Sequence, residues 1–498
     1  MRTLLSFLLI LLCIKLANAQ VVWNMKDTSL GAWYTPYVSH DNAGNVYVGI
    51  QNQSSIKKIR KISATGQLIW ERLLPVNDNY RIIKIETRLD GVSYLIAEVY
   101  DTSGNIRGLC ARLEPSGSMA WIQQVDSIKF SDLRVHNGAV FFTGAKRLNA
   151  NVHTSVVIAA DIVTGERLWY KEVTYAADVM GKLVIAADGD IAIVVVRSSG
   201  KDLFTARLSA ADGALSNSVE HEFADNLSQK FFIAGDKQNN VCVLLTRSAS
   251  GFQQTMLVKL LRTGGIMWDK PLVSSEINYG SCLALDSKNS MYVTYHTQGT
   301  TLNNSRAYLA KCYGNGVLQW AIHKPDTVKS YSSIFIKNDN LFVGSLCNGL
   351  LIEKMDTTGQ VLDSVRDNEG LYPVIDIDEE GSLLAGSQYH ENDLMIMYGS
   401  YVAKYGLLLS INETDNVAKA GFALYPNPVQ INGNVFFTET EQPKRVAVYD
   451  IEGRVVVSAN IQQGEKHFTL PPQMVPGIYI IELRTANQNS IQKLVIQE

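Results

Sequence analysis

Polar and apolar positions along this chain follow a rhythm that returns about every 48 residues. A polar turn precedes a short β-branched or aromatic run, as Asp41-Asn42-Ala43-Gly44 precedes Val46-Tyr47-Val48. The turns start near Asp41, Asp90, His136, Asp188, Asp236, Asp286, Lys337 and Asp378. The runs behind them, such as Ile191 to Val196 or Met291 to Tyr295, are too short for globular helices and read as strands. Many are apolar on successive residues, as expected of sheets covered on both faces. Strands of this length at this spacing suit a radial array of four-stranded sheets.

A second marker is Gly followed four residues later by Trp, at Gly66/Trp70, Gly117/Trp121, Gly165/Trp169, Gly264/Trp268 and Gly316/Trp320. Gly213 and Gly359 are followed instead by Asn217 and Asp363. The Gly suits a tight hairpin with positive φ. The indole beyond it can fill the wedge between neighbouring sheets. Gln20-Val21-Val22-Trp23 resembles Gln67-Leu68-Ile69-Trp70, while the eighth repeat has no Trp strand after Tyr401 to Tyr405. The first strand is therefore expected to complete the last blade, with Leu407 to Ile411 as the rival. Trp23, Trp70, Trp121, Trp169, Trp268 and Trp320 all read as blade-packing residues; Trp33 stands outside the pattern.

These patterns predict an all-β chain: an eight-bladed β-propeller over residues 20–405, a linker over 406–421 and a small Ig-like β-sandwich over 422–498. Residues 1–19 read as a signal peptide, with Arg2, an apolar core from Leu4 to Leu12 and the small-residue site Ala17-Asn18-Ala19. No later stretch is long and apolar enough for a transmembrane helix. A formal net charge of −3 and dispersed Lys and Arg argue against a nucleic-acid partner. The densest basic run, Lys57-Lys58-Ile59-Arg60-Lys61, reads as a strand with cations on its exposed side. Cys110, Cys242, Cys282, Cys312 and Cys347 remain beyond the signal and read as buried free thiols, with one disulfide as the alternative.

The C-terminal segment carries Leu424-Tyr425-Pro426-Asn427-Pro428, then Val448-Tyr449-Asp450 with Gly453-Arg454, then Pro476-Gly477-Ile478-Tyr479, and ends in Lys493-Leu494-Val495-Ile496. In order, spacing and terminal position this resembles the type A C-terminal sorting domain of type IX secretion in Bacteroidetes-group bacteria. The resemblance implies export through the inner membrane by the signal peptide and through the outer membrane by a translocon that reads this domain. It also implies removal of the domain and a product either released or attached to the outer surface of the outer membrane.

Ala159-x-Asp161-x-x-Thr164-Gly165-x-x-x-Trp169 resembles the tryptophan-docking motif of quinoprotein-type propellers. That superfamily holds pyrroloquinoline quinone dehydrogenases and non-catalytic propellers alike, so the resemblance implies fold and not activity. Its enzymes commonly hold a disulfide between adjacent cysteines, and no two cysteines are adjacent here.

Asp376, Asp378 and Glu380 alternate before Gly381 like the start of a calcium loop. However, Asp378-x-x-Gly381 also matches the turn Asp41-x-x-Gly44, and the distal position holds Ser387 where the loop wants Glu. The turn reading is preferred, and Asp188-Gly189-Asp190 meets the same objection. The eight His residues form no zinc motif, and no Gly-x-Ser-x-Gly elbow occurs. No catalytic residue and no cofactor are assigned. Ligand-binding candidates are Tyr80 and Arg81 before blade 2, and Tyr389, His390, Asp393 and Tyr398 in blade 8. The expected role is non-catalytic binding of a glycan or a protein; the alternative is a carbohydrate-active or quinoprotein-like enzyme, whose acid pairs have no spacing signature.

Overall fold

The computed structural model describes residues 21–497 except 28–36, 52–56, 76–78, 101–104, 150–151, 177–178, 198–199, 229, 250–251, 273–276, 298–305, 324–329, 348, 369, 379–380, 391–396, 407–421, 426–428, 432, 440–444, 451–454, 463–464, 466, 473 and 485–488. The signal segment, Trp33 and the rival closing strand at Leu407 to Ile411 lie outside the described residues. The chain divides into two compact units, Met1–Leu409 and Ser410–Glu498.

Among the described residues of the first unit, eight antiparallel sheets follow one another. The first shows the plan: Tyr37–His40, Val46–Gln51, Lys57–Ile62 and Leu68–Arg72 pair in chain order. The innermost strands are Tyr37–His40, Asn79–Thr87, Ile128–His136, Val179–Ile185, Phe232–Gly235, Asn278–Leu285, Ser330–Lys337 and Gly370–Ile377. Each packs against the next, and the eighth packs against the first. The sheets are thus the blades of a closed β-propeller, numbered 1 to 8 in this order. Val21–Asp27 pairs antiparallel with Met397–Tyr405, so the outermost strand of blade 8 comes from the start of the chain.

Packing between blades follows from a local irregularity. In blade 1, Lys61 pairs with Trp70 and Ile62 with Leu68, leaving Ile69 as an extra residue. Such a bulge re-aims the side chain beyond it. The same shift precedes Trp121, Trp169, Trp268 and Trp320. Each indole then packs on the hairpin Gly of the following blade: Trp23 on Gly66, Trp70 on Gly117, Trp121 on Gly165, Trp169 on Gly213, Trp268 on Gly316 and Trp320 on Gly359. At Gly66, φ is 87° and an added Cβ would stand 2.6 Å from Trp23 Cγ. Both the backbone and the approach of the ring therefore require Gly. Trp23, Trp70 and Trp169 also donate their indole N–H to the carbonyls of Ala64, Pro115 and Ala210, at 2.9, 2.9 and 3.1 Å.

Two junctions lack the indole, and each has a substitute. Between blades 4 and 5, Asn217 Nδ2 donates to the Arg262 carbonyl at 3.1 Å, and His221 Nε2 lies 2.8 Å from the Gly264 carbonyl. Between blades 7 and 8 no Gly hairpin can receive a ring, because the third and fourth strands of blade 8 are the last and the first strands of the propeller and no hairpin joins them. There the hydroxyls of Tyr401 and Tyr405, both fully buried, donate to Asp367 Oδ2.

The basic run of blade 1 differs from expectation. Lys57, Arg60 and Lys61 are only 5%, 9% and 7% exposed. Arg60 pairs with Asp27 at 2.6 Å and Glu71 at 2.7 Å, Lys61 pairs with Asp41 at 3.2 Å, and Lys57 lies 4.9 Å from the ring centre of Tyr80. Strand alternation gave the wrong side because both faces of a blade are covered by its neighbours.

In the second unit a three-stranded sheet, Phe422–Tyr425, Asn434–Glu439 and His467–Thr469, accompanies a five-stranded one. The latter is Val429–Gln430, Asn489–Gln497, Gly477–Arg484, Arg445–Tyr449 and Val455–Asn460 in spatial order. Val435 and Phe468 of the first sheet share one core with Val446, Val448, Ile481 and Leu494 of the second.

Candidate binding site

The polar residues that recur from blade to blade hold blades together. In blade 1 the turn closes by Asp41 N–H to the Asn45 carbonyl at 3.0 Å, while Asp41 Oδ1 accepts the N–H groups of Ala43 and Asn45. Its other oxygen meets Lys61 of the third strand. The same ion pair recurs as Asp236–Lys259 at 2.8 Å and Asp378–Lys404 at 2.7 Å. Burial pushes the Asp41 and Asp236 carboxyls up, but bonds from Asn45 and Lys61, and from Lys259 and Asn240, outweigh it and hold both below the ordinary value. In blade 4, Arg207 serves both Asp188 and Asp190. This cation on the third strand was not anticipated; its recurrence in Lys61, Lys259, Lys311 and Lys404 is the signal that could have found it.

The calcium-loop candidates take part in the same contacts. Asp378 makes the same turn as Asp41, with its N–H on the Ser382 carbonyl at 3.0 Å, and its carboxylate faces Lys404. Asp376 Oδ2 lies 2.7 Å from His40 Nδ1 in blade 1. Glu380 lies outside the described residues. The first two carboxylates therefore close blade 8 and tie it to blade 1.

The innermost strands behave differently. One register position, read around the ring, holds Tyr37, Lys84, Asp132, Lys182, Phe232, Cys282, Ser333 and Val374. No residue type dominates. Several of these side chains reach the next blade. Lys84 Nζ donates to Asp132 Oδ1 at 2.9 Å and to the Leu133 carbonyl at 2.8 Å. Asp132 Oδ2 accepts the Leu183 N–H at 3.2 Å. Ser333 Oγ donates to the Pro373 carbonyl at 2.7 Å.

At the turn end of blades 1 to 3 lies an open depression of about 790 Å³, lined by Asn42, Glu86, Arg88, Asp90, His136 and Ile162 among others. Glu86 accepts the Val135 N–H at 3.0 Å, and burial pushes its carboxyl up, partly opposed by Lys84. His136 Nε2 is enclosed without a hydrogen-bond partner among the described residues. Sequence reasoning missed this group because Glu86 and His136 lie on different blades with no local spacing between them.

Of the ligand candidates expected from the chain's pattern, Tyr80 is corrected: it is 6% exposed, and its hydroxyl donates to the Lys57 carbonyl at 2.8 Å and accepts the Leu74 N–H at 3.2 Å. It is a packing residue, buried because its ring completes the core between blades 1 and 2. Arg81 is exposed. Tyr389 and His390 fall in Leu383–His390 and Tyr398 in Met397–Tyr405; their side chains, and all of Asp393, lie outside the described residues.

Four cysteines, Cys110, Cys242, Cys282 and Cys312, are buried and free, and burial pushes their thiols up to about 12, 12, 11 and 11. The side chain of Cys347 lies outside the described residues.

In the second unit, Tyr449 donates its hydroxyl to Glu482 Oε2 at 2.7 Å, and Tyr479 donates to the Val475 carbonyl at 2.9 Å. Asp450 follows the strand of Tyr449, and Gly477 begins the strand of Tyr479. Tyr425 and Lys493 lie on strands whose side chains there are not described; Pro426, Asn427, Pro428, Gly453 and Arg454 fall outside the described residues.

Ring closure and the docked indoles define the class: a β-propeller, with a separate two-sheet module after it in the chain. A family model described as outer membrane protein assembly factor BamB matches residues 53–307, and one described as secretion system C-terminal sorting domain matches residues 423–497. The chain belongs to the first family, and its end is a sorting domain of the second. That domain directs the protein to type IX secretion, outward to the cell surface or beyond. Among the described residues no helix is long and apolar enough to cross a membrane. No curated protein matches the sequence. Among solved structures, the quinohemoprotein alcohol dehydrogenase from Comamonas testosteroni is similar at 12% identity and a TM-score of 0.51, covering 78% of this chain and 76% of that one. The Dos1 propeller is similar at 8% identity and a TM-score of 0.51, covering 78% and 95%. At such identities the likeness concerns the fold alone.

Proposed function

We propose that this protein is an exported, non-catalytic binding protein that takes its ligand at the propeller channel and its turn-end mouth. The observation that carries this reading is the contrast between two sets of positions. Outer positions repeat Gly, Trp, Asp and Lys from blade to blade and serve cohesion. One inner position differs in every blade, from Lys84 to Phe232 to Val374, and gives the channel wall an individual chemistry. A uniform frame around a varied lining suits recognition. A glycan or a protein surface is the ligand class proposed, met by the polar groups Glu86, Arg88, Asp90 and His136 around the depression.

The test uses the purified full chain on glycan and envelope-protein arrays, alongside assays for quinone-dependent dye reduction and for glycan cleavage. Saturable binding without turnover is expected. Turnover in either assay, or failure of every array, would remove the proposal.

A further inference from the structure

Many cations of the propeller meet acceptors in neighbouring strands. Lys61, Lys259 and Lys404 face turn carboxylates. Lys84 and Arg134 both reach Asp132, and Lys337 donates to the carbonyls of Ile377 and Asp378 at 3.3 and 2.8 Å. Lys182, on the innermost strand of blade 4, leans toward blade 5 and meets the ring of Phe232, its Nζ 5.8 Å from the ring centre. Among the described residues no carboxylate lies within ion-pair distance of it. The side chain is partly buried, so water compensates the ammonium incompletely.

Its surroundings add positive charge. Lys230 precedes the Phe232 strand by two residues, is exposed and has no ion pair among the described residues. Burial, Lys84 and Lys230 push the Lys182 ammonium down, with Asp132 acting the other way. Burial and Lys230 also push His296 down; its ring stacks on Tyr279 at 5.2 Å between centroids. Around Lys182 the charges are thus Lys84 and Lys230 against Asp132. Asp132 is already shared by Lys84 and Arg134.

We infer that the channel wall at blades 4 and 5 is an anion site, in which Lys182 and Lys230 take a phosphate or carboxylate group of the ligand beside the ring of Phe232. An anion there supplies the counter-charge that the fold does not, and the aromatic face suits an apolar or ring portion next to the charge. The inference rests on the binding reading and deepens it by naming a chemical class for one end of the ligand.

The test is calorimetric titration of the full chain with inorganic phosphate, with citrate, and with glucose as a neutral control, at low ionic strength. Phosphate or citrate is expected to bind and glucose not. Lys182→Met and Lys230→Gln are each expected to weaken anion binding at least tenfold. Without anion, Lys182→Met should melt no lower than the parent, since it removes an uncompensated charge while keeping the apolar stem. If it fails to fold, the exposed Lys230→Gln carries the test. Absence of anion binding at tens of millimolar, or unchanged binding in the variants that fold, overturns the inference. Anion binding that persists while every array fails would count against the glycan or protein ligand and leave the anion site standing.

Discussion

Trp23 packs its ring on Gly66, so that a residue near the start of the chain seals blade 8 against the outer hairpin of blade 1. Ring closure therefore rests on a side chain that lies far from blade 8 in sequence. Trp23→Ala is expected to cost about 3–5 kcal/mol in denaturant unfolding, the range for emptying a large aromatic site. Gly66→Ala should be damaging as well, since its Cβ would meet the same ring. Gly138→Ala is the control: φ is 77° but nothing lies within 4 Å of the added Cβ, so about 1–2 kcal/mol for the left-handed backbone is expected. Equal losses at Gly66 and Gly138 would contradict the ring contact.

Much of this closure was legible in the chain, because the indole and its Gly recur in fixed spacing and Val21-Val22-Trp23 copies Leu68-Ile69-Trp70. The exceptions were legible only as gaps. Asn217 and Asp363 stood where Trp was expected, but nothing local showed that Asn217 would keep the indole's hydrogen bond to the next blade. Nor did it show that Asp363 had no Gly hairpin to meet. The channel wall was least legible. Glu86 and His136 meet across blades 2 and 3, and Lys182 and Phe232 across blades 4 and 5, and packing between blades leaves no spacing in the sequence.

Lys404 and Asp378 form a buried pair with side chains 4% and 0% exposed. Lys404→Met leaves a carboxylate without its counter-charge and is expected to cost about 3–5 kcal/mol. Adding Asp378→Asn should recover much of that loss, because the amide keeps an oxygen for the Ser382 N–H. A double-mutant cycle in urea measures the coupling. Additive losses would show that the two groups do not act as a pair.

The related pair in blade 5 sets an acid limit. The Asp236 carboxyl is held below its ordinary value in the folded state, so the unfolded state binds protons first as pH falls. Its stabilisation is full above the unfolded value of about 3.9 and declines as pH drops through the lower folded value. Comparing melting curves of the parent and Asp236→Asn should show their difference shrinking below about pH 4. A difference that stays constant from about pH 7 to about pH 3 would contradict this.

Asp367 replaces the missing indole junction by accepting from Tyr401 and Tyr405. Tyr405→Phe removes one of two hydrogen bonds to a charged group and is expected to cost about 1.5–3 kcal/mol. Asp367→Ala leaves two buried hydroxyls without their acceptor and should cost more. Differential scanning calorimetry orders the two variants, and the reverse order would show that Asp367 is dispensable to the junction.

Buried thiols whose ionisation lies near 11 or 12 present almost no thiolate at about pH 8. Cys110, Cys242, Cys282 and Cys312 should resist an aromatic disulfide reagent in the native protein and react once denaturant is added. Rapid native labelling of any of these four, mapped by peptide mass, would show that its blade opens without global unfolding.

Export should separate from folding. Each described propeller strand pairs within the propeller, including Val21–Asp27 on blade 8, and the terminal unit has its own core around Val446, Ile481 and Leu494. A chain ending at residue 421 should therefore keep the propeller and lose the sorting domain matched at residues 423–497. The expected outcome is accumulation of protease-resistant propeller in the periplasm, with none outside the cell. Secretion of the truncated chain at parental levels would show that the address lies elsewhere. Degradation in the periplasm, with the full chain stable in the same cells, would show that the propeller depends on its terminal unit to fold.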